Sequence, residues 1–69
     1  MPTVTVNGSA HELPAGATVA DAVRVAGAPE DGRGVAVALG GEVVPRGRWA
    51  LRELAEGEHV EVLHAVQGG

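Results

Sequence analysis

The Asn7-Gly8 pair near the start of the chain is the feature that most limits its fold. Alternating Thr and Val residues precede the pair, and residues 9–13 follow it. A two-residue type I′ turn needs positive φ at both central positions, and Asn-Gly is a preferred pair for such a turn. The chain is therefore predicted to begin with a β-hairpin in which Val4 pairs with His11.

A helix is predicted after this hairpin. Thr18 can serve as its N-cap, and Asp21 stands three residues later, where a carboxylate favours the first turn. Gly27 and Pro29 then end the helix. The predicted apolar stripe consists of Val19, Ala22, Val23 and Ala26.

The second half of the chain contains a second hairpin and a final strand. Residues 28–34 are polar and glycine-rich, so we expect a mobile loop without chemistry. Strands at 35–39 and 42–44 follow, joined by a two-residue glycine turn. Residues 46–54 are an irregular connector held by Trp49. The last strand is predicted at 59–65, after a turn. Its inward residues are Val60 and Val62.

This order of elements predicts an α+β domain spanning residues 1–69. One main helix packs across one face of a mixed sheet of about four to five strands. The chain has one Trp and no Phe or Tyr, so the core must be thin and aliphatic. A domain of this size has no room for a deep active-site cleft.

Composition excludes several kinds of chemistry. The chain has no Cys, so no thiolate can carry sulfur or bind zinc. Its five basic residues are all Arg, which leaves no lysine amine. A net charge of −4 argues against nucleic acid as a partner and favours a basic protein surface. With no long apolar segment and no basic start, we expect a cytoplasmic protein without a membrane span or signal peptide.

The chain ends in Gly68-Gly69, directly after the last strand. A pair of final glycines is compatible with an ordinary frayed terminus. It is equally compatible with a terminal carboxylate offered as a reagent. Composition alone does not decide between these interpretations.

The element order, the diglycine ending and the block VAVALGGEVVPRGRW at 35–49 together resemble the ThiS family of β-grasp sulfur carriers. The resemblance covers essentially the whole chain. Its most specific part is Val44-Pro45-Arg46 with Trp49 three residues on. Gly40 departs from the family pattern, in which Asn often stands, but both residues accept positive φ.

The resemblance implies a carrier that is not itself an enzyme and binds no cofactor. A ThiF-like adenylating enzyme would use ATP to activate the carboxylate of Gly69. A sulfur donor protein would convert the adenylate to a thiocarboxylate, and a thiazole synthase of thiamine biosynthesis would receive the sulfur. Residues 66–69 would be a flexible tail. The residues that thread into the partner site would be Val66, Gln67 and Gly68.

A docking surface is predicted on the sheet face opposite the helix, because alternation places apolar residues where a solvated face would be polar. The strand order implied by the resemblance puts the last strand beside residues 35–39, so these residues would form one patch. They are Ala36, Ala38, Val43, Leu63 and Ala65. The resemblance adds Arg46 as a partner contact.

Other polar residues are given structural interpretations. His59 and His64 differ in strand parity, and no Cys or helical His pair completes a metal site with them. His11 is expected to be half-buried and structural, and His59 solvated. The carboxylates of Glu56, Glu58 and Glu61 form a charged rim rather than a general-acid pair. Trp49 is interpreted as a packing residue, because it is the only large ring available to a thin core, with a partner contact as the alternative.

Three alternative functions remain open from the sequence. The small subunit of molybdopterin synthase also ends in Gly-Gly and delivers sulfur, although the Pro45-Arg46 block favours the thiazole branch. A ubiquitin-like protein modifier would use the same activation but form an isopeptide bond. A passive interaction domain would not need Gly68 and Gly69 at all.

Overall fold

A computed structural model describes residues 1–29 and 31–65. Its elements in chain order are β1 (Thr3–Val6), β2 (Ser9–Glu12), α1 (Val19–Val25), β3 (Val35–Leu39), β4 (Glu42–Val44), a 3₁₀ helix (Arg46–Arg48) and β5 (His59–His64). The five strands form one mixed sheet in the order β2-β1-β5-β3-β4. The α+β prediction is confirmed. The predictions made for 66–69 lie outside the described residues.

The first hairpin has the predicted turn and register. Asn7 and Gly8 adopt φ values of 50° and 84°, and Val4 pairs with His11. The Asn7 side chain has a second role that the turn pattern did not predict. Its Nδ2 donates to the carbonyl of Val62 at 3.1 Å, and its Oδ1 accepts from the Val62 N–H at 2.7 Å. The side-chain amide of Asn7 therefore links the first hairpin to β5 through two hydrogen bonds, much as the backbones of paired strands are linked.

Asn7→Gly should separate the two roles of this residue. Glycine retains access to positive φ, but it removes both hydrogen bonds to Val62. We expect the free energy of unfolding to fall by about 1–3 kcal/mol, measured by urea denaturation. Asn7→Asp keeps the acceptor for the Val62 N–H but places a second carboxylate oxygen against the Val62 carbonyl, so it should also be less stable than the native protein. Equal stability of Asn7→Gly and the native protein would contradict this role.

Helix α1 depends on its capping and on packing, because seven residues are too few for a stable isolated helix. The Thr18 N–H donates to Oδ2 of Asp21 at 2.8 Å, and the predicted N-cap is confirmed. The stripe residues Val19, Ala22 and Val23 are buried. The prediction for Ala26 is wrong: α1 ends at Val25, so Ala26 is the C-cap residue and is exposed.

The Asp21 carboxylate should make stability depend on acid pH. Its pKa is lowered mainly by the hydrogen bond from the Thr18 backbone, with help from Arg24 and against the effect of burial. A lowered pKa contributes stability above the ordinary value of 3.8, and this is lost as pH falls through the folded pKa.

Asp21→Asn should therefore lower the free energy of unfolding by about 0.3–1 kcal/mol at pH 7. The difference from the native protein should shrink when urea denaturation is repeated well below the ordinary pKa. A difference that stays constant with pH would contradict the charge-based explanation.

The core is thin and aliphatic, as predicted. The largest fully buried side chains are all valine: Val4, Val19, Val23, Val37 and Val60. Each gains about 1.5–3 kcal/mol from burial. Trp49, the only Trp in a chain without Phe or Tyr, also belongs to the core. It is 5% exposed, and its Nε1 donates to the Val44 carbonyl at 2.9 Å. The predicted role of Trp49 is confirmed.

The connector after β4 is attached to the start of the helix by backbone hydrogen bonds. The carbonyl of Trp49 accepts from Ala20 at 3.0 Å, and the carbonyl of Arg52 accepts from Val19 at 3.0 Å. The two leucines of this segment differ: Leu51 is 73% exposed, whereas Leu54 is buried in the core. The connector is therefore held by its backbone, by Trp49 and by Leu54, whereas Leu51 is exposed to solvent.

Candidate functional site

Strand β5, which leads into the tail, lies at the centre of the sheet. It pairs with β1 in parallel and with β3 in antiparallel orientation. Val60 and Val62 point into the core, as predicted, and both are buried. Pairing on both edges and burial on one face make β5 a firm base for the residues that follow it.

The opposite face of β5, β3 and β4 carries a group of apolar side chains, with one carboxylate among them: Glu61 of β5 lies opposite Ala38. The register places Ala36 opposite Leu63 and Ala38 opposite Val43. Leu63 is 66% exposed and Val43 is 76% exposed. These four residues, called here the outer apolar patch, are brought together as predicted. The exposed side chains of Leu63 and Val43 leave apolar area uncovered that a binding partner could bury.

The other half of the same face is polar. Thr3 and Thr5 point outward from β1, because Val4 and Val6 point inward, and Glu12 pairs with Thr3. An ordinary solvated sheet face would be polar throughout. The apolar residues of the patch all lie in the half formed by β5, β3 and β4, where Glu61 is a polar neighbour of Ala38, so the patch is a local feature of this part of the sheet.

Ala65 and Arg46 occupy different surroundings from the patch strands. Ala65 is exposed just beyond the end of β5, and its N–H donates to the Gly34 carbonyl at 2.7 Å. Arg46 follows β4, and its Nη1 donates to the Asp31 carbonyl at 2.9 Å. Its side chain is thus bonded within the chain, and its predicted partner contact stays a prediction.

The histidines do not assemble into a site in the described part of the chain. His11 is half-buried, as predicted, whereas His59 and His64 are exposed. Across residues 1–29 and 31–65, no three His, Asp or Glu side chains are grouped to hold a metal ion.

Two of the three rim carboxylates stabilise the turn before β5. The Glu56 carboxylate accepts from the Thr3 N–H at 2.9 Å. The Glu58 carboxylate accepts from the Ala55 N–H at 2.6 Å and from Arg52 at 2.8 Å. Because these oxygens are engaged in holding the turn and β1, both carboxylates have structural roles. The sequence pattern placed them at the rim but did not predict these bonds.

The class of protein follows from this architecture. A helix packed across a five-stranded mixed sheet, with the last strand in the centre, defines a ubiquitin-like β-grasp domain. The family model of the ThiS family matches residues 4–69. The chain therefore belongs to the ThiS family, and this membership supports a sulfur carrier role.

A solved structure gives the same result. The chain is similar to the thiamine biosynthesis protein ThiS from Geobacter metallireducens, with a TM-score of 0.70 and 26% identity. The match covers 97% of this chain and 99% of that chain. A comparison with curated protein sequences finds no significant match. In the described residues, no helix has the length and apolar character needed to cross a membrane.

Proposed function

We propose that this protein is a sulfur carrier whose reactive group is the carboxylate of Gly69. The observation that carries the proposal is the position of β5 in a ThiS family member. The strand is anchored in the centre of the sheet, exposes Leu63 to a partner and leads directly into the tail. A partner bound at the outer apolar patch would receive the tail from the same strand.

The chemistry requires an activating partner. An α-carboxyl group has a pKa of about 3.3–3.7, so it is an unreactive anion at neutral pH. In the proposed cycle, a ThiF-like enzyme couples this carboxylate to the α-phosphate of ATP and releases pyrophosphate. A persulfide on a donor protein then attacks the carbonyl carbon and displaces AMP, which gives an acyl disulfide. A thiol cleaves its S–S bond, forms a disulfide with the donor sulfur and leaves the outer sulfur on the carrier. The resulting thiocarboxylate passes sulfur to a thiazole synthase.

The absence of competing side chains supports the terminal carboxylate as the reactive group. The sequence contains neither Cys nor Lys. The described carboxylates Glu56 and Glu58 are engaged in holding the turn before β5. A carrier needs no general acid or base of its own, because its partners supply the chemistry. ATP is consumed by the activating enzyme, and the carrier holds no cofactor.

The family match also supports one branch over its alternatives. The ThiS family model matches residues 4–69, which is nearly the whole chain. The similar solved structure is described as a thiamine biosynthesis protein. We therefore propose thiazole formation as the destination of the sulfur.

Exchange of labelled pyrophosphate into ATP by a ThiF-like enzyme tests the activation step. We expect exchange that depends on this protein and saturates with its concentration. Deleting Gly68 and Gly69 should abolish it. Exchange that persists with the truncated protein would overturn the proposal and favour a passive domain.

A further inference from the structure

Gly32, Arg46 and Trp49 lie close together at the end of the sheet where β5 ends. Gly32 is buried and has a φ of +75°. A Cβ at this position would lie 2.4 Å from Cδ of Arg46 and 3.1 Å from Cζ3 of Trp49. The aliphatic part of Arg46 therefore rests directly on the Gly32 backbone, and a larger residue would push it away.

The side chains of Arg46 and Trp49 are each held by a hydrogen bond to a backbone carbonyl. The Arg46 guanidinium donates to the Asp31 carbonyl at 2.9 Å, one residue before Gly32. The Trp49 indole donates to the Val44 carbonyl at 2.9 Å, at the end of β4. Arg46 thus holds residues 31 and 32 against a ring that is itself attached to the sheet.

Two backbone hydrogen bonds connect the loop at 31–34 to the end of β5. The Gly32 carbonyl accepts from the Val35 N–H at 3.1 Å, which closes the loop into a turn. Between these residues, the Gly34 carbonyl accepts from the Ala65 N–H at 2.7 Å. This bond lies just past the end of β5 and joins the loop to the chain immediately before residue 66.

We propose that Arg46 is a positioning residue for the tail. It clamps the loop at 31–34, and the loop holds Ala65 through Gly34, so the clamp sets the direction in which the chain leaves the sheet. The inference rests on the proposed function and refines it. A terminal carboxylate reacts efficiently only when it is held in the right orientation toward the other reactant. A mutation far from the reacting atoms can slow the reaction markedly if it shifts them from that position. Arg46 acts here through the loop, without needing to touch a partner.

Amide hydrogen exchange tests the clamp without any partner enzyme. In Arg46→Ala, we expect exchange at the Ala65 amide to accelerate by about tenfold, because the loop that accepts its hydrogen bond is released. Exchange at Val60 and Val62 should not change, which shows that the domain remains folded. Arg46→Lys keeps the aliphatic stem and a donor and should restore most of the protection.

Two further variants make the test specific. Arg48→Ala removes the same charge from the same 3₁₀ helix and should leave Ala65 exchange unchanged. Gly32→Ala should accelerate exchange because the new Cβ displaces the Arg46 stem and because alanine is strained at a φ of +75°. Its effect should be smaller in the Arg46→Ala background, since part of the clash has then been removed. Unchanged Ala65 exchange in Arg46→Ala, or an equal effect of Arg48→Ala, would overturn the proposal.

Kinetics with a ThiF-like enzyme distinguish positioning from docking. Arg46→Ala should lower kcat for pyrophosphate exchange by about tenfold with little change in KM, because the outer apolar patch is intact. A raised KM with unchanged Ala65 exchange would show instead that Arg46 contacts the partner. If the native protein supports no exchange of pyrophosphate, the proposed function fails, whereas amide exchange at Ala65 still decides whether Arg46 holds the base of the tail.

Discussion

Gly69→Val is expected to abolish adenylation while leaving the domain folded. The proposed reaction needs the terminal residue to pass through a narrow channel in the partner and to adopt dihedral angles open to glycine. A β-branched side chain obstructs both requirements. We expect the rate of pyrophosphate exchange with a ThiF-like enzyme to fall by at least about 100-fold. The urea unfolding curve should coincide with that of the native protein.

A second glycine provides a matched control for this variant. Gly47 lies in the 3₁₀ helix, and a Cβ there would meet nothing within 4 Å. Gly47→Val introduces the same side chain elsewhere and should retain near-native exchange. Normal adenylation of Gly69→Val would contradict the assignment of the reactive group. Equal loss in both variants would show that the effect is not specific to the tail.

Leu63→Asp is expected to weaken binding to the adenylating partner without unfolding the domain. Leu63 is 66% exposed and lies at the tail end of the outer apolar patch, opposite Ala36. In a complex, the new carboxylate would lose its hydration where an apolar side chain is now buried, which is costly. We expect Kd, measured by calorimetry, to rise by at least about tenfold. The unfolding midpoint should be almost unchanged because the side chain is already exposed.

Leu51→Asp is the matched control for this prediction. Leu51 is 73% exposed, but it belongs to the connector whose backbone is bonded to the start of the helix. The same change of charge at this position should leave Kd near its native value. If both variants bind equally well, the outer apolar patch is not the docking surface. If both weaken binding equally, the loss reflects charge rather than the patch.

Much of the scaffold could be predicted because local chemistry determines it. The Asn7-Gly8 turn set the first hairpin and its register, and Thr18 with Asp21 marked the helix start. Alternation along β5 correctly assigned Val60 to the core. These features depend on neighbours a few residues apart, so a single sequence contains the necessary information.

The missed features depend on contacts between distant parts of the chain. The amide of Asn7 reaches Val62, 55 residues later. Arg46 packs on Gly32 across a loop that carried no periodic signal. No spacing rule connects such pairs, since the fold itself brings them together. Ala26 was misassigned for a related reason: helical periodicity continued past the residue where the observed helix ends.

The same distinction between local and long-range contacts applies to the candidate site. Strand alternation and the resemblance to a known family were enough to bring Ala36, Ala38, Val43 and Leu63 onto one face. They did not predict how Ala65 is held, because its hydrogen bond to Gly34 forms outside any regular strand. The reactive role of Gly69 rests on family membership and chemistry, so it requires a direct experiment.

Mass spectrometry after reaction tests the central claim most directly. The protein would be incubated with ATP, a ThiF-like enzyme and a sulfur donor, and its intact mass and C-terminal fragments measured. We predict the replacement of one oxygen by sulfur, located by fragmentation at Gly69. An unchanged mass with active partners, or attachment of Gly69 to another protein, would contradict the sulfur carrier function.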